Sequence, residues 1–166
     1  SHMMKNIEWG AVAYLKQSIY GLGITDIEVN WGDTITGGGS GTSYKTNIGQ
    51  STTGNITGVY DMSGGSHEYV MGNYNKTAGN SGLTVSGVPA EHIDIYSGTS
   101  VSASHLGDAI GETAGWYSDY VDFTGYWVCR GGQYSYGDSA GIFSFGHGGI
   151  GAYTGFGFHL VLTVVE

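Results

Sequence analysis

The chain has 166 residues, with 14 Asp and Glu against five Lys and Arg and a formal net charge of −9, a length that suits one domain with a real core and is short for two. Neutralising phosphates takes clusters of Lys and Arg, and Arg130 is the single arginine, which argues against nucleic acid and against contact with an anionic membrane. A 40% apolar content with 13 Tyr points to a globular domain, and a lone cysteine, Cys129, excludes an internal disulfide and a multi-cysteine zinc site.

Ser1-His2-Met3 reads as a cloning scar, and residues 4–166 as a single domain, the C-terminal fragment of a longer protein. The pattern predicts a helix over Asn6 to Tyr20, capped by Asn6, favoured by Glu8 in its first turn and stopped at Gly21. Ile7, Ala11, Tyr14, Leu15 and Ile19 fall near helical spacing and form its expected buried stripe. Residues 21–57 are rich in Gly, Ser and Thr, and GGGSGTS (37–43) is a loop by composition. A second, short helix is expected over Ser66 to Met71 with Tyr69 and Val70 inward. Strands are expected near Leu83–Val88, Trp127–Cys129, Ala140–Phe145 and Gly155–Val165, the last of them buried at a sheet centre. Few helices, short strands and long loops define an α+β domain.

The tail from Arg130 to His159 draws on a restricted set of residues. Between Tyr134 and Phe158 there is no Lys, Glu, Gln, Met or Trp, only Gly, Ser, Tyr, Phe, His, Asp, Thr, Ala and Ile. Each of these has a codon ending in a pyrimidine, so each can arise by randomising the adenines of an Asn codon. The five missing types cannot.

Four segments carry a family resemblance. YDMSGGSHEYVMGN (60–73) resembles the DMxGNVWEWV signature of formylglycine-generating-enzyme-type domains, and CRGGQYSYGDSAGIFSF with GFGFHLVL (129–162) resembles the closing RGGSW…GFR stretch of that family. EWGAVAYLKQSIYG (8–21) and GDAIGETAGWYSDYVDF (107–123) are similar to a subgroup from gut Firmicutes and their phages. The resemblance implies a C-type lectin fold, with one or two helices packed on short twisted antiparallel sheets and long irregular loops. Members of the subgroup often read FNNxNGNANTNISFR where this chain reads FGHGGIGAYTGFGFH (145–159). Side by side, the Asn positions fall on Gly146, His147, Gly149, Gly151, Tyr153 and Gly155, and this chain has no Asn after Asn80. The resemblance thus implies a variable protein of a diversity-generating retroelement, with a variable region over about 130–159. His159 departs from the family's Arg, which would lock the last strand.

On this reading the tail is a recognition surface. Tyr gives a large rigid contact at small entropic cost, and Ser and Gly give adaptable ones. Tyr134, Tyr136, Asp138, Ser144, Gly146, His147, Gly149, Gly151, Tyr153 and Gly155 are the candidate ligand-binding positions. Gly141, Ile142, Phe158 and Leu160 are expected to be scaffold, Phe143 or Phe145 to point inward, and Phe156 to be core. Arg130 is expected to hold the variable loops through backbone carbonyls or Asp61, with Trp9, Trp116 and Trp127 in the core. The family's catalysis uses a cysteine pair after RGGS; here Cys129 precedes Arg130-Gly131-Gly132 and has no partner thiol, so an inert buried thiol is expected. Asp108, Glu112, Asp119 and Asp122 could gather around a structural calcium ion. The EPN, QPD and WND marks of sugar-binding C-type lectins are absent, so these carboxylates are expected to cap loops instead. His67, His92, His105, His147 and His159 share no metal-ligand spacing. The expected function is non-enzymatic: a domain for adhesion or receptor recognition that binds a protein or glycan on a cell surface. Its carrier would be a pilin-like or anchored surface protein or a phage particle. The alternatives are an enzyme of the formylglycine-generating superfamily and a structural pilus or fibre domain.

Overall fold

The structure, a computed structural model, describes residues 1–30, 48–98, 101–122, 124–148, 151 and 153–163. Among them the chain runs β1 (His2–Met3), α1 (Asn6–Gln17), β2 (His67–Tyr74), β3 (Asp94–Tyr96), β4 (Trp127–Arg130), β5 (Phe145–Gly148), β6 (Phe156–Gly157) and β7 (Leu160–Val161), with short 3₁₀ turns in the loops. It is a mixed α+β domain. β2 is the centre: β4 flanks it antiparallel on one side, and β3 and β6 share its other edge, both parallel. β5 continues the sheet beyond β4, antiparallel. The sheet is therefore mixed, where antiparallel sheets were expected.

The segment at 66–71 is a strand and not a helix. β2 carries aromatic and β-branched residues and is covered on both faces, which is why neighbours Tyr69 and Val70 are both buried. Val70 and Tyr74 face the main core with Trp9, Tyr96, Val128, Ile142, Phe143 and Phe145. Tyr69 faces a second cluster with Ile93, Trp127 and Cys129.

α1 begins as expected at Asn6, but the cap is made by others. Glu8 accepts the Lys5 N–H at 2.8 Å and Asp94 Oδ2 accepts that of Ile7 at 2.8 Å. Asn6 is buried and donates to the Tyr96 hydroxyl at 2.8 Å. The helix ends at Gln17, where the Ser18 hydroxyl turns back to the Leu15 carbonyl. The buried face is Asn6, Trp9, Gly10, Ala13 and Lys16, rotated from the expected stripe; Ala11, Leu15 and Ile19 are exposed.

Three expected strands also differ. Val85–Gly87 is a 3₁₀ turn. Residues 140–144 are buried but irregular, and β5 begins only at Phe145. The last strand is two short pieces, with Phe158, Leu160 and Leu162 exposed. The strand at Trp127 stands where the sequence puts it. His2–Met3 is not idle: it pairs with β7. GGGSGTS (37–43) lies outside the described residues.

Candidate functional site

The site is built by the chain on the C-terminal side of β4. Gly131 and Gly132 both hold positive φ, +81° and +69°, where side-chain-bearing residues are strained. This pair turns the chain out of the sheet, and a Cβ on Gly132 would stand 2.8 Å from the Ala140 Cα. The chain then makes the exposed turn Tyr134–Ser139, pinned where the Tyr134 N–H donates to the Gly65 carbonyl at 2.9 Å. It dives inward through Ala140–Ser144, forms β5, and returns through residues 153–155 to β6 beside His67.

Arg130 organises the underside. Fully buried, it donates through Nη2 to the carbonyls of Ala109 (2.8 Å) and Ile142 (3.4 Å) and through Nη1 to Asn6 Oδ1 (3.5 Å). Its guanidinium lies over Trp9 and Phe145. Burial pulls its pKa down to about 10, with the charges of Asp108 and Asp119 acting the other way, so it stays a cation at neutral pH. Trp9 and Trp127 are buried. Trp116 is not core: it is 40% exposed and meets Phe143 edge-on.

The outer face is a continuous run of rings. Tyr120 meets Tyr136 at 5.0 Å, Tyr136 meets His67 at 5.0 Å, and His67 meets Phe156 at 5.6 Å. Phe156 then contacts Tyr153 at 5.6 Å and Tyr69 at 4.7 Å. Tyr153 and Tyr134 are exposed, Tyr136 and Phe156 half-buried, and Asp138 and Gly151 open to solvent. Under the rings, burial holds His67 as the neutral imidazole, and its Nδ1 has no hydrogen-bond partner among the described residues.

The candidate glycines differ in the room they leave. At Gly146 and Gly151 no heavy atom among the described residues lies within 4 Å of where a Cβ would stand. Gly146 lies opposite Cys129 in the β4–β5 ladder, so its side chain would rise on the face of Cys129 and Tyr69, beside the rings. At Gly155 a Cβ would meet the Tyr153 ring at 3.0 Å, an exposed neighbour. At Gly141, by contrast, a Cβ would run into the Asp119 carboxylate. Ser144 is a correction: it is buried, its hydroxyl without a partner among the described residues, and it is not on the surface. Gly149 and the side chain of His147 lie outside the described residues.

The four carboxylates each accept from backbone N–H groups, Asp108, Glu112 and Asp122 from nearby residues and Asp119 from across the fold. Asp108 accepts from His105 and Ile110, Glu112 from Gly107, Asp119 from Phe143, and Asp122 from Thr124. No group of three or more His, Cys, Asp or Glu side chains that could hold a metal ion occurs among the described residues. Cys129 is buried, and burial pushes its thiol up to about 12. His159 bridges Tyr60 and Glu68. Its Nε2 stands 3.0 Å from the Tyr60 carbonyl and its Nδ1 3.3 Å from Glu68 Oε2. Burial alone would lower its pKa, but the Glu68 carboxylate and the Tyr60 carbonyl outweigh it, so the net shift is upward.

His67, Tyr69 and Tyr120 are not among the positions expected on this face, and Phe156, expected in the core, is half-buried. In β2 His67, Tyr69 and Met71 share one face by their spacing of two, although the even burial of the strand hides it in the sequence. Phe143, Phe145 and Ile142 are buried as expected; Phe158 and Leu160 are exposed. Asp61 is not among the partners of Arg130. No protein-family model matches the chain, and no curated protein matches it.

Proposed function

We propose that this domain is a non-enzymatic ligand-binding module of C-type lectin fold. Its C-terminal face is varied by a diversity-generating retroelement, and it serves adhesion or receptor recognition on a surface protein or phage particle. The observation that carries the reading is the division among the glycines of the tail. Gly146 and Gly151, which align with Asn in the template pattern, have no described heavy atom within 4 Å of where a Cβ would stand, while at Gly141, outside that pattern, a Cβ would run into the Asp119 carboxylate. A diversified site needs this division, because random substitution is tolerated only where the core does not feel it. The ring face supplies what such a site uses, large rigid aromatics beside small adaptable positions. A few of these rings would dominate affinity for the protein or glycan bound. The inert thiol of Cys129 supports the non-enzymatic reading, since the thiolate is the nucleophile.

Sequencing copies of this gene from one population, with its flanks, tests the proposal. Substitutions should cluster at the codons of Tyr134, Tyr136, Asp138, Gly146, His147, Gly149, Gly151, Tyr153 and Gly155, leaving Gly141 and Arg130 fixed. A reverse-transcriptase gene and a near-copy of the tail differing at adenines should lie alongside. Substitutions spread evenly over the chain would refute it.

A further inference from the structure

Lys16 sits near the end of α1 with none of its side chain exposed. A lysine on a helix ordinarily carries its ammonium out to water; this one is turned inward with Trp9 and Ala13. Its Nζ stands 3.6 Å from Asp26 Oδ1 and 3.4 Å from Gln17 Oε1. It lies 4.5 Å from the centre of the Tyr117 ring, with the Phe143 ring at 6.0 Å. Those two rings are stacked nearly parallel, and the Tyr117 hydroxyl is tied to Gln17 and to the Ile24 carbonyl. The amine is thus closed in by aromatic rings and held against one carboxylate. Asp119, a second and buried carboxyl, is electrostatically coupled to both Lys16 and Asp26, and its Oδ1 has no hydrogen-bond partner among the described residues. Ligand recognition uses none of these groups.

We propose that Lys16 and Asp26 become joined by an intramolecular amide bond, with Asp119 as the acid that moves the proton. Within the ion pair one ammonium proton of Lys16 passes to Asp26, so that a free amine faces a carboxylic acid; the Nζ lone pair then attacks Asp26 Cγ, an Nζ–Cγ bond forms and the Cγ–OH bond breaks. Asp119 protonates the departing oxygen and recovers a proton from the nitrogen, so that one water leaves and no atom changes oxidation state. Asp26 is 35% exposed, which gives that water a way out. Burial disfavours the charged ammonium of Lys16, against the pull of Asp26, and so favours the nucleophilic free amine. Burial and then the Asp26 charge lift Asp119 to about 7, which leaves part of it a proton donor at neutral pH. Holding amine and carboxyl together removes the translational cost that makes amide formation slow between free partners.

Intact-mass spectrometry of the purified chain tests this directly. The bridged protein is lighter than its sequence by one water, and a protease digest yields a branched peptide linking the segments around Lys16 and Asp26. Asp26→Ala and Lys16→Arg should restore the full mass, and Asp119→Asn should leave most of the chain unbridged. The digest of the unmutated protein decides even if a variant fails to fold. A full-length mass with no deficit, or a deficit located at any other residue, overturns the proposal and leaves a buried ion pair.

Discussion

Placing asparagine at Gly146 and alanine at Gly141 sets an open position against a closed one five residues away. Neither glycine has positive φ, so backbone strain does not confuse the comparison. Gly146 is buried, but no described heavy atom lies within 4 Å of where its Cβ would stand, so no clash like that at 141 arises and the change in stability should stay within about 1 kcal/mol, the centre of the range for point substitutions. At 141 even a methyl group collides with Asp119, whose Oδ2 accepts the Phe143 N–H at 2.9 Å in the buried core. Overpacking costs about 1–3 kcal/mol, and breaking that bond orphans a buried donor at about 1–3 kcal/mol more. At about 2–4 °C per kcal/mol for a domain of this size, alanine at 141 should lower Tm by roughly 5–20 °C. Scanning calorimetry or thermal circular dichroism reads both. Equal losses at the two sites, or a neutral alanine at 141, would refute the division between variable and fixed positions.

Tyr134→Ala should change stability by less than about 0.5 kcal/mol, because its ring is exposed. Tyr136→Ala, which gives up edge contacts to His67 and Tyr120, should cost about 1–2 kcal/mol in urea unfolding. Arg130→Met leaves the carbonyls of Ala109 and Ile142 without their guanidinium donor and should cost about 3–5 kcal/mol or abolish folding, as read by the same denaturation. Cys129 should resist thiol reagents in the native chain and react only as the chain unfolds, since its thiolate is suppressed. Folding raises the proton affinity of His159, so its contribution is complete below its unfolded value, near 6.5, and is lost as pH rises through its folded value. The Tm advantage of the unmutated chain over His159→Gln should therefore be larger near pH 5 than near pH 8; an advantage that grows with pH would contradict the pairing with Glu68.

What could be read from the sequence and what could not divide along physical lines. Asn6 as the start of α1 and Trp127–Cys129 as a strand are short-range patterns, and both stand in the structure. The stripe of α1 was misplaced because its buried face includes Asn6, Gly10 and Lys16, residues that a hydrophobic period passes over. Lys16 is turned inward by Asp26 and Tyr117, partners set by the fold and invisible in the helix itself. Residues 66–71 were misread because a strand buried on both faces loses the alternation that marks strands. Ser144 failed as a surface position for a related reason: a codon pattern reports how a residue could arise, not which way it points. The ring face was half legible. Tyr134, Tyr136 and Tyr153 came from the tail's vocabulary, whereas His67 and Tyr120 reach the same face from other parts of the chain through tertiary contact alone.

That convergence bears on how a variable site keeps its shape. Of the rings in contact, Tyr136 and Tyr153 lie at candidate variable positions, while Tyr69, Tyr120, His67 and Phe156 do not. The Tyr120 segment is fastened to the tail by backbone bonds: its N–H donates to the Ser139 carbonyl at 2.8 Å and its carbonyl accepts from Phe145 at 2.9 Å. Such bonds survive any change of side chain in the tail. β6 is fastened to β2 in the same manner, the His67 N–H donating to the Gly155 carbonyl at 2.8 Å. Replacing the exposed side chains at 151 and 153 therefore leaves these backbone bonds in place. The fixed rings would supply a constant apolar floor, and the replaced positions would set which ligand fits above it.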